Sequence, residues 1–128
     1  MILTFDYDTS YNPSAPVVEI GIGPSDGTPP RVKVQALIDT GSDASMFPLE
    51  LLKRAGGRYV RRRMIRGVTG ERLAANLYLV AIHIASHTIY GIQAAASPDS
   101  SEILLGRDVL NHLTATLDGP GMSVEIRL

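Results

Sequence analysis

The sequence predicts an all-β fold, a sandwich or a barrel built from many short strands. Apolar stretches rich in β-branched and aromatic residues recur along the chain, and clusters of Gly, Pro, Asp and Ser separate them at fairly regular intervals. Few stretches have the length and pattern of a helix. The chain has 128 residues, which suits one domain with a hydrophobic core of its own. We therefore expect a single β-rich domain over residues 1–128.

The first half of the chain predicts three strands and one helix. Residues 1–7 contain good strand formers, residues 17–22 form a clear strand, and residues 31–38 pair with that strand across a long turn of Gly, Pro and Asp. Polar and apolar residues alternate in the third strand until Ala36, where we expect the strand to enter the interior. Residues 48–55 predict a short apolar helix, which the following Gly-Gly pair would end.

The second half predicts a long hairpin followed by short elements. Residues 58–66 form a basic strand and residues 73–85 an apolar one, so the pair makes a hairpin whose tip is Gly67 to Gly70. The elements expected after it are a strand at 88–94, a short apolar strand at 103–106, one or two helical turns at 107–112, and two strands at 114–117 and 122–126 joined by an Asp-Gly turn.

Basic residues are concentrated in this hairpin. Eight of the twelve Lys and Arg residues lie between Lys53 and Arg72, where Glu71 is the only acid, although the net charge of the chain is −1. A solvated outer strand explains such a run most simply. Attraction to acidic substrate segments and binding to nucleic acid are the alternatives. Tyr59 is the only aromatic residue in the run, so base stacking has little support and no nucleic-acid partner is expected.

Composition disfavours several other classes of protein. There is no cysteine, so neither disulfides nor thiolate metal sites can form. No apolar run has the length of a membrane span, and the N-terminus lacks the basic region of a signal peptide, so we expect a cytoplasmic protein. His83 and His87 are four residues apart in a predicted strand, where this spacing does not converge on one metal. We therefore expect no metal and no cofactor.

An apolar stretch ends on a carboxylate at Asp39, which is the candidate catalytic residue. A carboxylate at the end of a buried strand is costly unless the fold holds and uses its charge. Alone, the triplet Asp39-Thr40-Gly41 is also explained by a strand that ends in an Asx turn. The wider order of blocks adds information: Asp39-Thr40-Gly41-Ser42-Asp43 comes first, then the Gly-flanked hairpin, and then Leu104-Leu105-Gly106-Arg107-Asp108.

This order resembles the retropepsins, the retroviral-type aspartic proteases, from about residue 17 to the C-terminus. The resemblance implies a closed acid-protease barrel with a flap hairpin and one or two short helices. It also implies a homodimeric endopeptidase for polypeptide substrates, in which Asp39 from each subunit forms a catalytic dyad. In that chemistry one carboxylate takes a proton from the attacking water and the other donates a proton to the carbonyl oxygen.

The resemblance also implies how the active-site loop is supported. Thr40 would bond across to the partner subunit's loop, Gly41 would let the backbone approach the carboxylates, and Ser42 belongs to the same loop. Asp43 and Arg107 would pair to brace it. The strand Leu104-Leu105-Gly106 would run beneath the loop.

Two further regions receive roles from the resemblance. The terminal strands, residues 1–7 and 122–128, are the candidates for interlocking the dimer. The flap would close over the substrate and exclude water. Its expected members are Arg66, Gly67, Val68, Thr69 and Gly70.

Two other functions stay open from the sequence. One is a catalytically weak or inactive dimerisation or peptide-binding module on the same fold. The other is a small basic barrel that binds nucleic acid, for which a steep dependence of binding on salt would be the indicator. The intact Asp39-Thr40-Gly41 triplet favours an active enzyme over the inactive module.

Overall fold

The computed structural model describes residues 1–66, 70–97 and 99–128. Within these residues the chain is mostly β, with ten strands and two short helices. Neither of those two helices has the length and hydropathy that a membrane crossing needs. In chain order the elements are β1 (Ile2–Asp6), β2 (Val17–Gly23), β3 (Val32–Ile38), β4 (Met46–Pro48), α1 (Leu49–Arg54), β5 (Arg58–Arg66), β6 (Arg72–Ile84), β7 (His87–Ser97), β8 (Leu104–Leu105), α2 (Arg107–Leu110), β9 (Thr114–Asp118) and β10 (Ser123–Arg127).

Six strands close into a ring, which confirms the predicted β-barrel. Their order is β2-β3-β8-β4-β7-β6, and residues 81–83 of β6 return to pair with residues 21–23 of β2. β5 lies outside the ring, beside β6. Closure leaves these six strands without an open end to the sheet, which is one way that β-proteins avoid unwanted edge pairing.

The main hydrophobic core fills this ring. β2 is buried at every residue except Glu19, and β6 is buried at residues 80–82 and 84. Burying one large aliphatic side chain stabilises a fold by about 1.5–3 kcal/mol. The fully buried side chains of this core include Val18, Ile20, Ile22, Phe47, Leu52, Val80, Ile82, Ile84 and Leu105.

Helix α1 forms where the sequence predicts it and seals one side of the ring. Leu51 and Leu52 are buried in the core. Glu50 in the first turn and Lys53 in the last turn both complement the helix dipole. Gly56 follows the helix with a φ of 79°, a left-handed conformation that glycine adopts at little cost.

A second sheet of three antiparallel strands, β1-β10-β9, joins the two ends of the chain. Ile2 pairs with Arg127, and Asp118 pairs with Ser123. In β10 the side chains alternate between buried and exposed, whereas every residue of β9 is exposed. The two terminal strands therefore pair with each other within one chain, and their role in interlocking two subunits stays a prediction.

Strand β4 is an element that the sequence did not predict. Met46–Pro48 pairs in parallel with residues 95–97 of β7, and this pairing carries β7 three residues beyond the predicted end at residue 94. Met46 also pairs with Leu104 of β8. A strand of three residues has too few positions to show an alternating pattern, yet β4 is the element that connects β7 to β8 in the ring.

The predicted hairpin consists of β5 and β6, which pair antiparallel over residues 58–66 and 72–79. Residues 72–76 of β6 pair with β5, and from Leu77 onward β6 pairs with β7 as well. The far part of the hairpin therefore extends beyond the ring. Of the predicted flap tip, Gly70 is exposed with a φ of 87°, and the residues outside the described part of the chain are Gly67, Val68 and Thr69.

Candidate active site

Asp39 lies one residue beyond the end of β3, where main-chain hydrogen bonds fix it. Its N–H donates to the Leu105 carbonyl of β8 at 3.0 Å, and its own carbonyl accepts from the Ser42 N–H at 3.2 Å. The Gly41 N–H donates to the Asp39 carboxylate oxygen Oδ1 at 3.0 Å. The Asp39 side chain is half-buried, and Thr40 and Gly41 are exposed. The carboxylate is thus held in one orientation and stays accessible.

The chain segment of β8 supports this loop from one side. Leu104 and Leu105 pair in parallel with the last two residues of β3. Gly106 follows, and a Cβ added to it would lie 2.7 Å from the Ala44 carbonyl carbon and 2.9 Å from the Ser42 carbonyl oxygen. Contacts this short would force the backbone to move, so glycine is what lets the end of β8 approach the loop.

Arg107 holds the same loop at three points from the start of α2. Its N–H donates to the Ser42 carbonyl at 2.9 Å, and its Nη1 donates to the Thr40 carbonyl at 2.6 Å. Its Nη2 forms a salt bridge with the Asp43 carboxylate. The two side chains are 43% and 50% exposed, so this ion pair adds little to stability. Its physical effect is to fix the course of the loop.

A second anchor, between Ser45 and Asp108, was missed by the sequence reasoning. Ser45 is fully buried; its Oγ donates to Asp108 Oδ1 at 2.7 Å and its N–H donates to Asp108 Oδ2 at 2.9 Å. The Gly106 N–H donates to the Ser45 Oγ at 3.0 Å, which completes a compact network. A small polar residue inside the apolar stretch that follows Asp43 was the available indication that an anchor lies here.

The far part of the hairpin packs against the end of the loop. Ile65 of β5 joins a small apolar cluster that includes Ala44, Ala75 and Leu77. Two open grooves border this contact, and Asp43 lines both. The first, of about 270 Å³, is lined by Asp43, Met64, Ile65, Arg66 and Arg72. The second, of about 300 Å³, has Arg61, Arg63, Gln93, Asp108 and His112 among its lining residues.

The histidines and remaining acids do not form a metal site in the described part of the chain. Within residues 1–66, 70–97 and 99–128, no three His, Cys, Asp or Glu side chains converge on one point. His83 Nδ1 lies 3.0 Å from the Thr88 hydroxyl, and burial lowers the pKa of His83 below its ordinary value of 6.5. His87, at the start of β7, is exposed. Burial and a hydroxyl partner suit a neutral structural histidine at position 83.

The geometry brings most of the expected site residues together around one carboxylate. Residues 39–43 form the loop, and residues 104–107 contact it from below and from one side. Arg66 borders a groove that includes Asp43, whereas Gly67, Val68 and Thr69 lie outside the described residues. A fixed, accessible carboxylate such as that of Asp39 can exchange a proton with a water molecule or with a bound polar ligand.

Comparisons with known proteins agree with this arrangement. The aspartyl protease family matches the chain over residues 19–109, a span that contains the loop, the hairpin and Arg107. A retropepsin-like aspartic protease from Rickettsia conorii is similar in structure, with a TM-score of 0.66 and 13% identity over 98% of this chain and 90% of its own. The EIAV protease complexed with the inhibitor HBY-793 has a TM-score of 0.54 and 24% identity over 77% of this chain and 86% of its own. No curated protein matches the chain in sequence.

Proposed function

We propose that this chain, which belongs to the aspartyl protease family, is an endopeptidase that works as a homodimer with one Asp39 from each subunit. The observation that carries the proposal is the way in which Asp39 is held. The Leu105 carbonyl and the Gly41 N–H fix its backbone and carboxylate, while the side chain stays accessible. An acid–base catalyst needs this combination of fixed orientation and access to water.

The proposed reaction needs two carboxylates that share one proton. The ionised carboxylate takes a proton from water while the water oxygen bonds to the peptide carbonyl carbon, and the protonated carboxyl donates to the carbonyl oxygen. The carboxyl that took the proton of the water then donates it to the amide nitrogen as the C–N bond breaks, and the other carboxylate takes a hydroxyl proton of the tetrahedral intermediate, so an amine and a carboxylic acid are released. Because like charges at close range cannot both ionise, the pair holds the single proton that both steps require.

A single chain supplies one carboxylate of this kind. The other acids that touch the loop have partners of their own: Asp43 is bound by Arg107, and Asp108 by Ser45. A second copy of the chain, related by two-fold symmetry, would supply the second Asp39. The exposure of Thr40 and Gly41 in one chain agrees with a partner that approaches from this side.

The free edge of β9 supports a specific route to that dimer. Backbone groups of an antiparallel strand point alternately to its two neighbours. On either side of β10, the Met122 carbonyl accepts from the Tyr7 N–H and the Leu128 N–H donates to the Met1 carbonyl. These bonds point toward β1, so by alternation residues 123, 125 and 127 turn their backbone groups to β9. By the register of β9, its residues 114, 116 and 118 face β10. The N–H and C=O groups of Ala115 and Leu117 therefore point away from the sheet.

We assign this edge to the subunit interface. Exposed edge strands are usually protected by Lys, Pro or a bulge, whereas β9 reads Thr-Ala-Thr-Leu-Asp and is exposed at every residue. Two copies of β9 that pair about Thr116 would bring Ala115 opposite Leu117 of the partner subunit. Such a pairing forms four main-chain hydrogen bonds, each of about 0.5–1.5 kcal/mol net. It would also join the two three-stranded sheets into one.

Substitution of Asp39 by Asn tests the activity. Asp39→Asn should lower the cleavage rate of a peptide library by at least about 1,000-fold, because the amide cannot take a proton from water. The fold and the dimer should be unchanged in circular dichroism and sedimentation. Peptidase activity retained by Asp39→Asn would contradict the proposal. A stable wild-type dimer without turnover on any peptide would favour a peptide-binding module instead.

Substitution by proline at the free edge tests the assembly separately. Ala115→Pro removes an outward N–H and leaves the bonds between β9 and β10 in place, so it should produce folded monomers with little activity. Thr4→Pro is the matched control, because Thr4 turns its N–H away from β10 at the opposite edge, on β1. Light scattering across a range of protein concentrations reports the outcome. A dimeric Ala115→Pro would exclude the β9 interface and leave the role of Asp39 untouched.

A further inference from the structure

Two arginines face each other across the hairpin, beside the active-site loop. Arg66 of β5 and Arg72 of β6 are direct cross-strand partners at the end of the described pairing. Residues in such positions have their side chains on the same face of the sheet, and like charges placed there destabilise the hairpin. Both residues are exposed. The repulsion between Arg66 and Arg72 disfavours the hairpin, so stability of the hairpin does not explain why both residues are arginine. An anion bound between them would relieve the repulsion.

The groove that these arginines line also includes part of the active-site loop. Its walls are Arg66, Arg72, Met64, Ile65 and Asp43, and its volume is about 270 Å³. Asp43 would oppose an incoming anion, but its charge is already balanced by Arg107. Glu71, which precedes Arg72, has an interaction of its own. The groove therefore keeps a positive charge at its outer wall and an apolar surface, from Met64 and Ile65, beside it.

We propose that this groove selects polypeptides that carry an Asp or Glu side chain near the cleaved bond, and that Arg66 and Arg72 hold that carboxylate. The inference rests on the proposed function. A guanidinium group offers paired N–H donors that match the two oxygens of a carboxylate, and two guanidinium groups can share one anion. The methylenes of the substrate side chain would lie on Met64, which is two residues from Arg66 and therefore on the same face of β5. The volume of the groove suits one extended side chain.

A peptide fits this groove better than a nucleic acid does. The Asp43 carboxylate forms part of the wall, and it would repel the repeated phosphates of a nucleic-acid backbone. Tyr59, the aromatic residue of the basic stretch, packs edge-on against Tyr78 with ring centroids 5.8 Å apart. That contact leaves the basic stretch without the row of free aromatic faces on which successive bases stack.

Paired peptides that differ only by Glu or Gln test the proposal. The pairs carry the substitution at successive positions on both sides of the cleaved bond, and kcat/KM is measured for each at low and high salt. At one position the wild-type enzyme should prefer Glu by about five- to twentyfold at low salt, and high salt should reduce this preference. Arg66→Gln and Arg72→Gln should each lower the ratio of kcat/KM for the Glu peptide to kcat/KM for the Gln peptide, whatever the substitution does to overall cleavage.

Arg62→Gln is the matched control variant. Arg62 is an exposed arginine of the same strand, but it pairs with Asn76 and lines a different groove with Leu49 and Ala96. It should keep the wild-type preference for Glu. The same peptides, labelled and bound to Asp39→Asn, measure selection by affinity without cleavage.

The outcomes separate this inference from the proposed function. Cleavage of Glu and Gln peptides at equal rates would overturn the inference and leave the protease intact. An equal loss of preference in Arg62→Gln would also overturn it, because the effect would then be one of net charge. Arginine variants that weaken binding to a single-stranded oligonucleotide, with peptide preference unchanged, would assign the patch to nucleic acid instead. The absence of cleavage for every peptide would reject the proposed function itself, and equal binding of Glu and Gln peptides by Asp39→Asn would then reject the inference.

Discussion

The active-site loop and the hairpin that faces it are held in opposite ways. Residues 39–45 form hydrogen bonds or close contacts with residues 105–108, so several independent contacts determine the course of the loop. In the hairpin, seven of the nine residues of β5 are exposed. The fold therefore fixes the backbone of the active-site loop and leaves the side chains of β5 open to solvent. The proposed chemistry depends on the position of one carboxylate, whereas selection among substrates needs side chains that a ligand can reach.

Gly106→Ala should have the largest effect, because it disrupts the contact between the end of β8 and the active-site loop. The added methyl group would meet the Ala44 and Ser42 backbone at under 3.0 Å, and overpacking of this kind costs about 1–3 kcal/mol. We expect a lower midpoint in chemical denaturation together with a loss of most peptidase activity. Gly119→Ala is the control, since a Cβ at Gly119 meets nothing within 4 Å. Equal effects of the two substitutions would show that the contact around Gly106 is not what matters.

Arg107→Lys should have an intermediate effect that appears in activity more than in stability. A lysine keeps the charge but cannot reach the Thr40 carbonyl and the Asp43 carboxylate together in the planar geometry of a guanidinium group. Because the ion pair is largely exposed, the free energy of unfolding should fall by about 1 kcal/mol or less. We expect kcat to fall about tenfold, which corresponds to about 1.4 kcal/mol in the barrier. A thermal melt and steady-state kinetics on the same preparation separate the two quantities.

Met64→Ser should have the smallest effect. It tests whether an exposed side chain of the hairpin contributes to substrate binding without contributing to stability. Met64 is 53% exposed, so its replacement should change stability by about 0.5 kcal/mol or less. Since Met64 lines the groove with Arg66, we expect KM to rise about two- to threefold while kcat is kept. Met64→Leu should restore KM. A large loss of stability in Met64→Ser would mean that the hairpin is as tightly determined as the loop.

Much of the fold could be predicted from local sequence patterns. An apolar run predicts the strand before Asp39, and two strand patterns on either side of Gly67 and Gly70 predict the hairpin. In both cases the pattern reflects the contacts of consecutive residues. The two short helices were likewise predicted from local pattern, whereas the choice of a closed barrel over a sandwich followed from the resemblance that these blocks support.

The elements that escaped prediction depend on contacts between distant parts of the chain. β4 has three residues and is a strand only because it pairs with β7 and β8, which lie tens of residues later in the chain. Ser45 and Asp108 are 63 residues apart, and neither has a local pattern that names the other. The register of β9 is a further example, because the outward direction of Ala115 follows from pairing with β10 and from the pairing of β10 with β1. The sequence of residues 114–118 alone does not determine this direction.

The pairing of β6 has a mechanical consequence for how the site opens. This strand is continuous over 13 residues, but only its second part is paired on both sides, with β7 on one side and with β5 and then β2 on the other. Leu77, which is 1% exposed, marks the boundary. The part before it, residues 72–76, acts as a lever arm of about 16 Å at roughly 3.3 Å per residue, with its fulcrum at Leu77. Under the proposed function, a substrate would raise the arm by bending the hairpin at Leu77, and the hydrogen bonds of the ring would stay in place.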